Sequence, residues 1–109
     1  MTADDAIAIR GRPDIAIVDL REKSEREKHG VVPGALHSPY KNLQDDIGAG
    51  GMLHELAATS GKQIVFLCAF GERSAMAVQA AQEAGLKAAR HIAGGIDAWK
   101  KANGPLAHC

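Results

Sequence analysis

Two stretches of the chain are apolar without a break, Ile15-Ala16-Ile17-Val18 and Ile64-Val65-Phe66-Leu67. A strand with one face in water would alternate, so continuous runs of this length predict strands buried on both faces of a parallel sheet. The first run is framed by Pro13-Asp14 and Asp19, and the second follows the turn-like Ser60-Gly61-Lys62. Ala35-Leu36-His37 and Ala89-Arg90-His91-Ile92 are weaker strand candidates. Helices are predicted between them, over Glu22 to Lys28, Leu43 to Ile47, Met52 to Ala58, Ser74 to Ala84 and Ile96 to Ala102. The segment Ser74 to Ala84 is rich in alanine, a strong helix former small enough for close packing on a sheet, and Gly85 is placed to cap its end. Gly94-Gly95 opens the last helix and Asn103-Gly104-Pro105 closes it. Strands alternating with helices define an α/β domain with a mainly parallel sheet.

Composition narrows the class further. With 109 residues, 46% of them hydrophobic, residues 1–109 form one domain able to bury a core without disulfide or metal staples. Lys plus Arg and Asp plus Glu each total 13, so the formal net charge is zero. Nothing in that balance, and no basic run, favours nucleic acid or an anionic membrane as partner, and a neutral domain of this size is expected to be a monomer. No apolar stretch approaches the ~20 residues of a membrane span. Met1-Thr2-Ala3-Asp4-Asp5 is acidic where a secretory signal would be basic, so the expected setting is cytoplasmic. The cysteines, Cys68 and Cys109, resemble neither a disulfide framework nor paired metal clusters. His29, His37, His54, His91 and His108 form no ligand spacing with one another or with a cysteine, so neither metal nor cofactor is expected. His37 and His91, inside strand candidates, read as hydrogen-bonded structural residues.

The chemistry concentrates after the second apolar run, in Cys68-Ala69-Phe70-Gly71-Glu72-Arg73-Ser74. This is strand, short loop, then helix, and open α/β sheets place their ligand sites at that carboxyl end. The first amides of a helix lack intrahelical partners and, with the helix dipole, favour an anion. A cysteine held there is favoured as thiolate, its nucleophilic form. Gly71 lets the loop take a conformation a side chain would forbid. Arg73 adds a fixed charge with a fork suited to oxyanions. A cysteine at a strand end is also commonly a small buried hydrophobe, and the local pattern by itself leaves both readings open.

The wider pattern is more specific. Val18-Asp19-Leu20-Arg21-Glu22 with Glu25, followed by His29-Gly30-Val31-Val32-Pro33-Gly34-Ala35-Leu36-His37-Ser38-Pro39, resembles the first rhodanese signature. Cys68 to Ser74 resembles that family's active-site loop, and His91-Ile92-Ala93-Gly94-Gly95-Ile96-Asp97-Ala98-Trp99 resembles its closing motif. The three motifs stand in family order and cover nearly the whole chain.

The resemblance implies a rhodanese-like, mainly parallel five-stranded sheet flanked by helices on both faces. It implies a sulfurtransferase in which Cys68 cycles between thiolate and persulfide by double displacement. The donor would be thiosulfate or a persulfide, protein persulfides included, and the acceptor a thiol or cyanide. The loop from Ala69 through Phe70, Gly71, Glu72 and Arg73 to Ser74 would hold the transferred sulfur, and Arg21 is a candidate border residue. Asp19 and Glu22 read as a structural ion-pair cluster, and Trp99 as core. The lead-in from Thr2 to Asp14 is shorter than the family's, which predicts a short or missing first strand and suits a piece of a larger protein. Cys109 is either a resolving thiol or a terminal thiol without a partner.

Two alternatives differ in class. Dual-specificity phosphatases with a similar fold have one more residue in the cysteine loop, and Ser74 occupies their arginine position. Glu72 would also repel a phosphate dianion. A non-catalytic binding or redox-sensing module is the second alternative, against which stands the retained cysteine. Because Glu72 offsets Arg73 and Phe70 adds an apolar wall, a persulfide is expected to be a better donor than thiosulfate.

Overall fold

Both continuous apolar runs are central strands of the computed structural model, which describes residues 1–108. Strand β1 (Ile15–Asp19) and strand β3 (Gln63–Leu67) pair in parallel from Ile15 opposite Gln63 to Asp19 opposite Leu67. The short strands β2 (Leu36–His37) and β4 (Arg90–His91) flank them, giving the order β2-β1-β3-β4 with every pair parallel. The two weak candidates are thus edge strands, which need less apolar sequence because one side meets no neighbour.

The sheet has four strands among the described residues, where the resemblance implied five. Before β1 lies a helix, α1 (Ala3–Ile9), which the hydrophobic pattern did not announce. Thr2 caps it by accepting from the Asp5 amide at 3.1 Å, and Asp4 and Asp5 stand favourably in its first turn. The lead-in therefore packs Ala3 and Ala6 beneath the sheet in place of a first strand.

Successive side chains of a strand point to opposite faces, so β3 feeds two cores. On one face Ile64, Phe66 and Cys68 join Leu43 and Ile47 of α3 (Leu43–Ile47), Leu53 of α4 (Met52–Ser60), and Ala77 and Ala81 of α5 (Glu72–Glu83). On the other, Val65 and Leu67 join α1 and the residues Ile96 and Trp99 of α6 (Gly95–Lys101). Trp99 is core, as expected, and its indole N–H donates to the Pro105 carbonyl at 2.9 Å. Helix α2 (Lys23–His29) buries no residue and stands beside the carboxyl end of the sheet. Helix α5 starts at Glu72 rather than Ser74 and ends just before Gly85, whose φ of 98° suits only glycine. No helix among the described residues is long and apolar enough to cross a membrane.

Candidate active site

Cys68 leaves the carboxyl end of β3 with its sulfur turned into a cradle made by its own loop. The Gly71 amide donates to Sγ at 3.0 Å and the Ser74 amide at 3.4 Å, while the thiol lies 3.5 Å from the Ser74 hydroxyl. Of the six loop residues from Ala69 to Ser74, these two supply the amides at the sulfur. Gly71 turns the chain with φ 104°, and a Cβ there would sit 3.0 Å from the Gly94 nitrogen. The carbonyls of Cys68 and Ala69 accept from the Ile96 and Asp97 amides at 2.8 and 3.2 Å, so the start of α6 clamps the loop from behind. Cys68 is buried, Phe70 is exposed, and Glu72 faces solvent. Beside the loop is a depression of about 170 Å³ lined by Glu25, His29, Ala69, Phe70, Ile96 and Lys100, among others.

Arg73 does not present a free fork. Its two terminal nitrogens donate to the two carboxylate oxygens of Glu25 on α2, each at 2.8 Å. Glu25, not Glu72, is therefore the carboxylate that offsets the arginine. Oε1 of Glu25 also accepts from the Glu22 amide at 2.9 Å, so one side chain both caps α2 and ties it to α5. The Arg73 hydrogen bonds are the largest reason the Glu25 carboxyl is held down to about 2; burial opposes them, and the Glu22 amide and the charges of Arg73 and Arg21 assist. Hydrogen bonding to Glu25 raises Arg73 in turn.

A depressed carboxyl stabilises the fold above its unfolded value of 4.5 and stops doing so as pH falls toward about 2. Wild type is accordingly expected to exceed Glu25→Gln in stability by about 1 kcal/mol at neutral pH, a modest sum for a partly exposed pair. The difference should shrink as pH falls below 4.5. Urea unfolding of both proteins across that range measures it.

Arg21, the candidate border residue, is wholly enclosed behind the site. It donates to both oxygens of Asp19, at 3.0 and 2.9 Å, and to the Gly30 carbonyl at 2.8 Å. Arg26 adds a bond to Asp19 at 3.2 Å. Asp19 is structural, as expected, and Arg21 joins it; no hydrogen bond links Arg21 to the cysteine loop, and it reaches the site through its charge on Glu25. Glu22 lies apart from this buried cluster, 3.7 Å from Lys41 at the surface.

His37 fits the structural reading, its Nε2 lying 2.7 Å from the Arg21 carbonyl. His91 does not stop there: its Nδ1 is 3.0 Å from the Ser74 hydroxyl, one step from the Cys68 sulfur. Burial, then the charge of the Met1 ammonium, lowers its pKa below the usual histidine value. The available signal for His91 was its place in the closing motif, and for Glu25 its place in the first. Neither motif names a partner. Among the described residues no group of three or more His, Cys, Asp or Glu side chains could hold a metal ion. Cys109 lies outside the described residues.

A cysteine sulfur cradled by loop amides at a strand end, on a small parallel sheet, defines a cysteine-loop α/β domain. The chain belongs to the rhodanese-like domain family, whose model matches residues 2–102. A curated relative is mouse thiosulfate sulfurtransferase/rhodanese-like domain-containing protein 3, 27% identical over 95 residues. That match takes in 79% of this chain, and the chain spans 58% of the relative's length. Among solved structures, a Rhodopseudomonas palustris protein of unknown function, described as a possible tyrosine phosphatase, is 39% identical with a TM-score of 0.88. The similarity covers 97% of this chain and 82% of that one. A human single-domain sulfurtransferase shares the fold at 24% identity and a TM-score of 0.73, over 93% of this chain and 94% of its own.

Proposed function

We propose that this domain is a sulfurtransferase that carries sulfane sulfur as a persulfide on Cys68. The observation that carries the reading is the convergence of the Gly71 and Ser74 amides on Sγ at 3.0 and 3.4 Å. Donors preorganised around an atom stabilise whatever negative charge it bears, first as thiolate and then as persulfide. In the loading step the Cys68 thiolate attacks the outer sulfur of the donor. A new S–S bond forms, the donor's S–S bond breaks, and its electron pair leaves on sulfite from thiosulfate or on a thiolate from a persulfide. An acceptor thiolate or cyanide then attacks the outer sulfur and Cys68 leaves as thiolate.

The Glu25 pairing bears on the donor. With the Arg73 fork occupied, the loop offers a dianion no free guanidinium. This supports a persulfide as the preferred donor and thiosulfate as a poor one. The occupied fork also counts against the phosphatase reading, because phosphate recognition needs an arginine turned toward the cysteine.

Intact mass after incubation with thiosulfate or glutathione persulfide tests the reading, in wild type, Cys68→Ser and Cys109→Ser. The expected result is gain of one sulfur atom in wild type and Cys109→Ser, its loss on adding cyanide, and no gain in Cys68→Ser. No gain from either donor overturns it, and peroxide oxidation of Cys68 in that protein would then favour redox sensing. A thiosulfate KM in the micromolar range, well below that for glutathione persulfide, would overturn the donor preference.

A further inference from the structure

Cys68 reacts as thiolate, yet it is 1% exposed and its proton needs a way out. The only side-chain group within hydrogen-bond reach of Sγ among the described residues is the Ser74 hydroxyl, itself fully buried. Beyond that hydroxyl is His91 Nδ1 at 3.0 Å. His91 is partly exposed and lines an open depression with Met1, Val78, Gln82 and Arg90. This opening shares no lining residue with the one beside Phe70.

We propose that His91 is a positioning residue that takes the Cys68 proton through Ser74, so that proton and sulfur leave the site by separate openings. The proposal deepens the sulfurtransferase reading and rests on it for its purpose. The transfer is a double hop. The S–H bond breaks with its electron pair left on Sγ, and the proton goes to Ser74 Oγ. The proton that Ser74 held goes to the lone pair of Nδ1. The products are a thiolate, an unchanged serine and an imidazolium, which releases a proton to water from Nε2. Before transfer the Ser74 proton has two acceptors, Nδ1 and the Gly71 carbonyl at 3.1 Å, so the path is complete whenever it points to the histidine. Burial keeps His91 neutral before transfer, with Nδ1 open to a proton, and opposes the imidazolium, an opposition that the charge of the nearby thiolate must offset.

The surrounding charges do not supply another acceptor. On α5, Arg73 acts on Cys68 only through its charge and cannot take a proton, and Glu25 of α2 is committed to it at two oxygens. Asp19 of β1 is held by Arg21 and Arg26. Arg90 of β4 cannot take a proton, and the Met1 ammonium beside that strand, with burial, favours a neutral His91 until the thiolate forms.

The test reads alkylation of Cys68 by iodoacetamide against pH in a Cys109→Ser background, comparing His91, His91→Asn and Ser74→Ala. Alkylation needs no sulfur donor, so this result stands apart from the outcome of the mass experiment. Asparagine can set its amide oxygen where Nδ1 lies, preserving the bond to Ser74 without being able to accept a proton. With His91 present, a thiolate–imidazolium pair should hold alkylation up at mildly acidic pH as a shoulder on the profile. In His91→Asn and in Ser74→Ala the shoulder should vanish, with about a tenfold loss of rate near pH 6 and little change in alkaline solution. Added imidazole should restore the shoulder in His91→Ala. A His91→Asn profile that keeps the shoulder, or a loss equal at every pH, would overturn the proposal, since either is what a merely structural histidine gives.

Discussion

Gly95→Ala is expected to disrupt the cysteine loop and destabilise the domain together. Gly95 opens α6 with φ 60°, and a Cβ there would lie 2.4 Å from the Cys68 carbonyl oxygen and 2.6 Å from the carbonyl of Ala69. Those atoms are backbone and accept from Ile96 and Asp97, so neither side can yield without parting α6 from the loop. Left-handed strain of about 1–2 kcal/mol adds to an overpacking cost of about 1–3 kcal/mol. That is a large share of the roughly 5–15 kcal/mol that holds a domain of this size. Even a folded variant would displace Cys68 from its amides, and a shift of about 1 Å can cost ~100-fold in rate. Gly50→Ala is the control: its φ is 82°, but nothing lies within 4 Å of the added Cβ. Thermal unfolding and persulfide loading of the two variants should separate strain from collision. Similar losses in both would show that the close approach of α6 is not what holds the loop.

The second large effect is expected at Asp19→Ala. Asp19 is fully buried and accepts from the Arg21 amide at 3.0 Å, from two guanidinium nitrogens of Arg21 and from Arg26. Arg21 is equally enclosed, so removing the carboxylate leaves a guanidinium with its Gly30 bond and no hydrogen-bonded counter-charge. Breaking a buried pair this way costs about 3–5 kcal/mol, whereas exchanging both partners for apolar residues of similar volume is often neutral. Asp19→Ala should therefore be severely destabilised in urea unfolding, and Asp19→Leu with Arg21→Met should recover most of the loss. A mild single substitution would mean that water reaches Arg21 and that the pair is not the strut between β1 and the turn at Gly30.

The two predictions differ in how far the chain announced their contacts. Asp19 and Arg21 are two residues apart, and their pairing could be expected from a buried strand followed by opposite charges. Gly94-Gly95 read only as the opening of the last helix, because the atoms that forbid a side chain at Gly95 belong to Cys68 and Ala69, 27 and 26 positions away in number. Arg73 was legible as a charge in the cysteine loop, but its partner Glu25 lies 48 residues upstream. A charge counts differently once both forks are matched, and no spacing rule reports that. His91 was assigned to a strand correctly; that its ring turns to Ser74 follows from β4 lying beside the start of α5.

What the chain by itself determined is the part governed by near neighbours. Unbroken apolar runs make β1 and β3 interior strands, alanines and Gly85 delimit α5, and Gly71 permits the turn that brings Cys68 to a helix start. Hydrophobic burial and backbone hydrogen bonding act over a few residues, so their periods are written along the chain. The motifs carried the family for the same reason. Tertiary structure alone decided which charges cancel, that the β4 histidine turns to Ser74, and that a helix occupies the lead-in. Those outcomes depend on distances between segments far apart in number, where a hydrogen bond or an ion pair is made or lost within a fraction of an ångström.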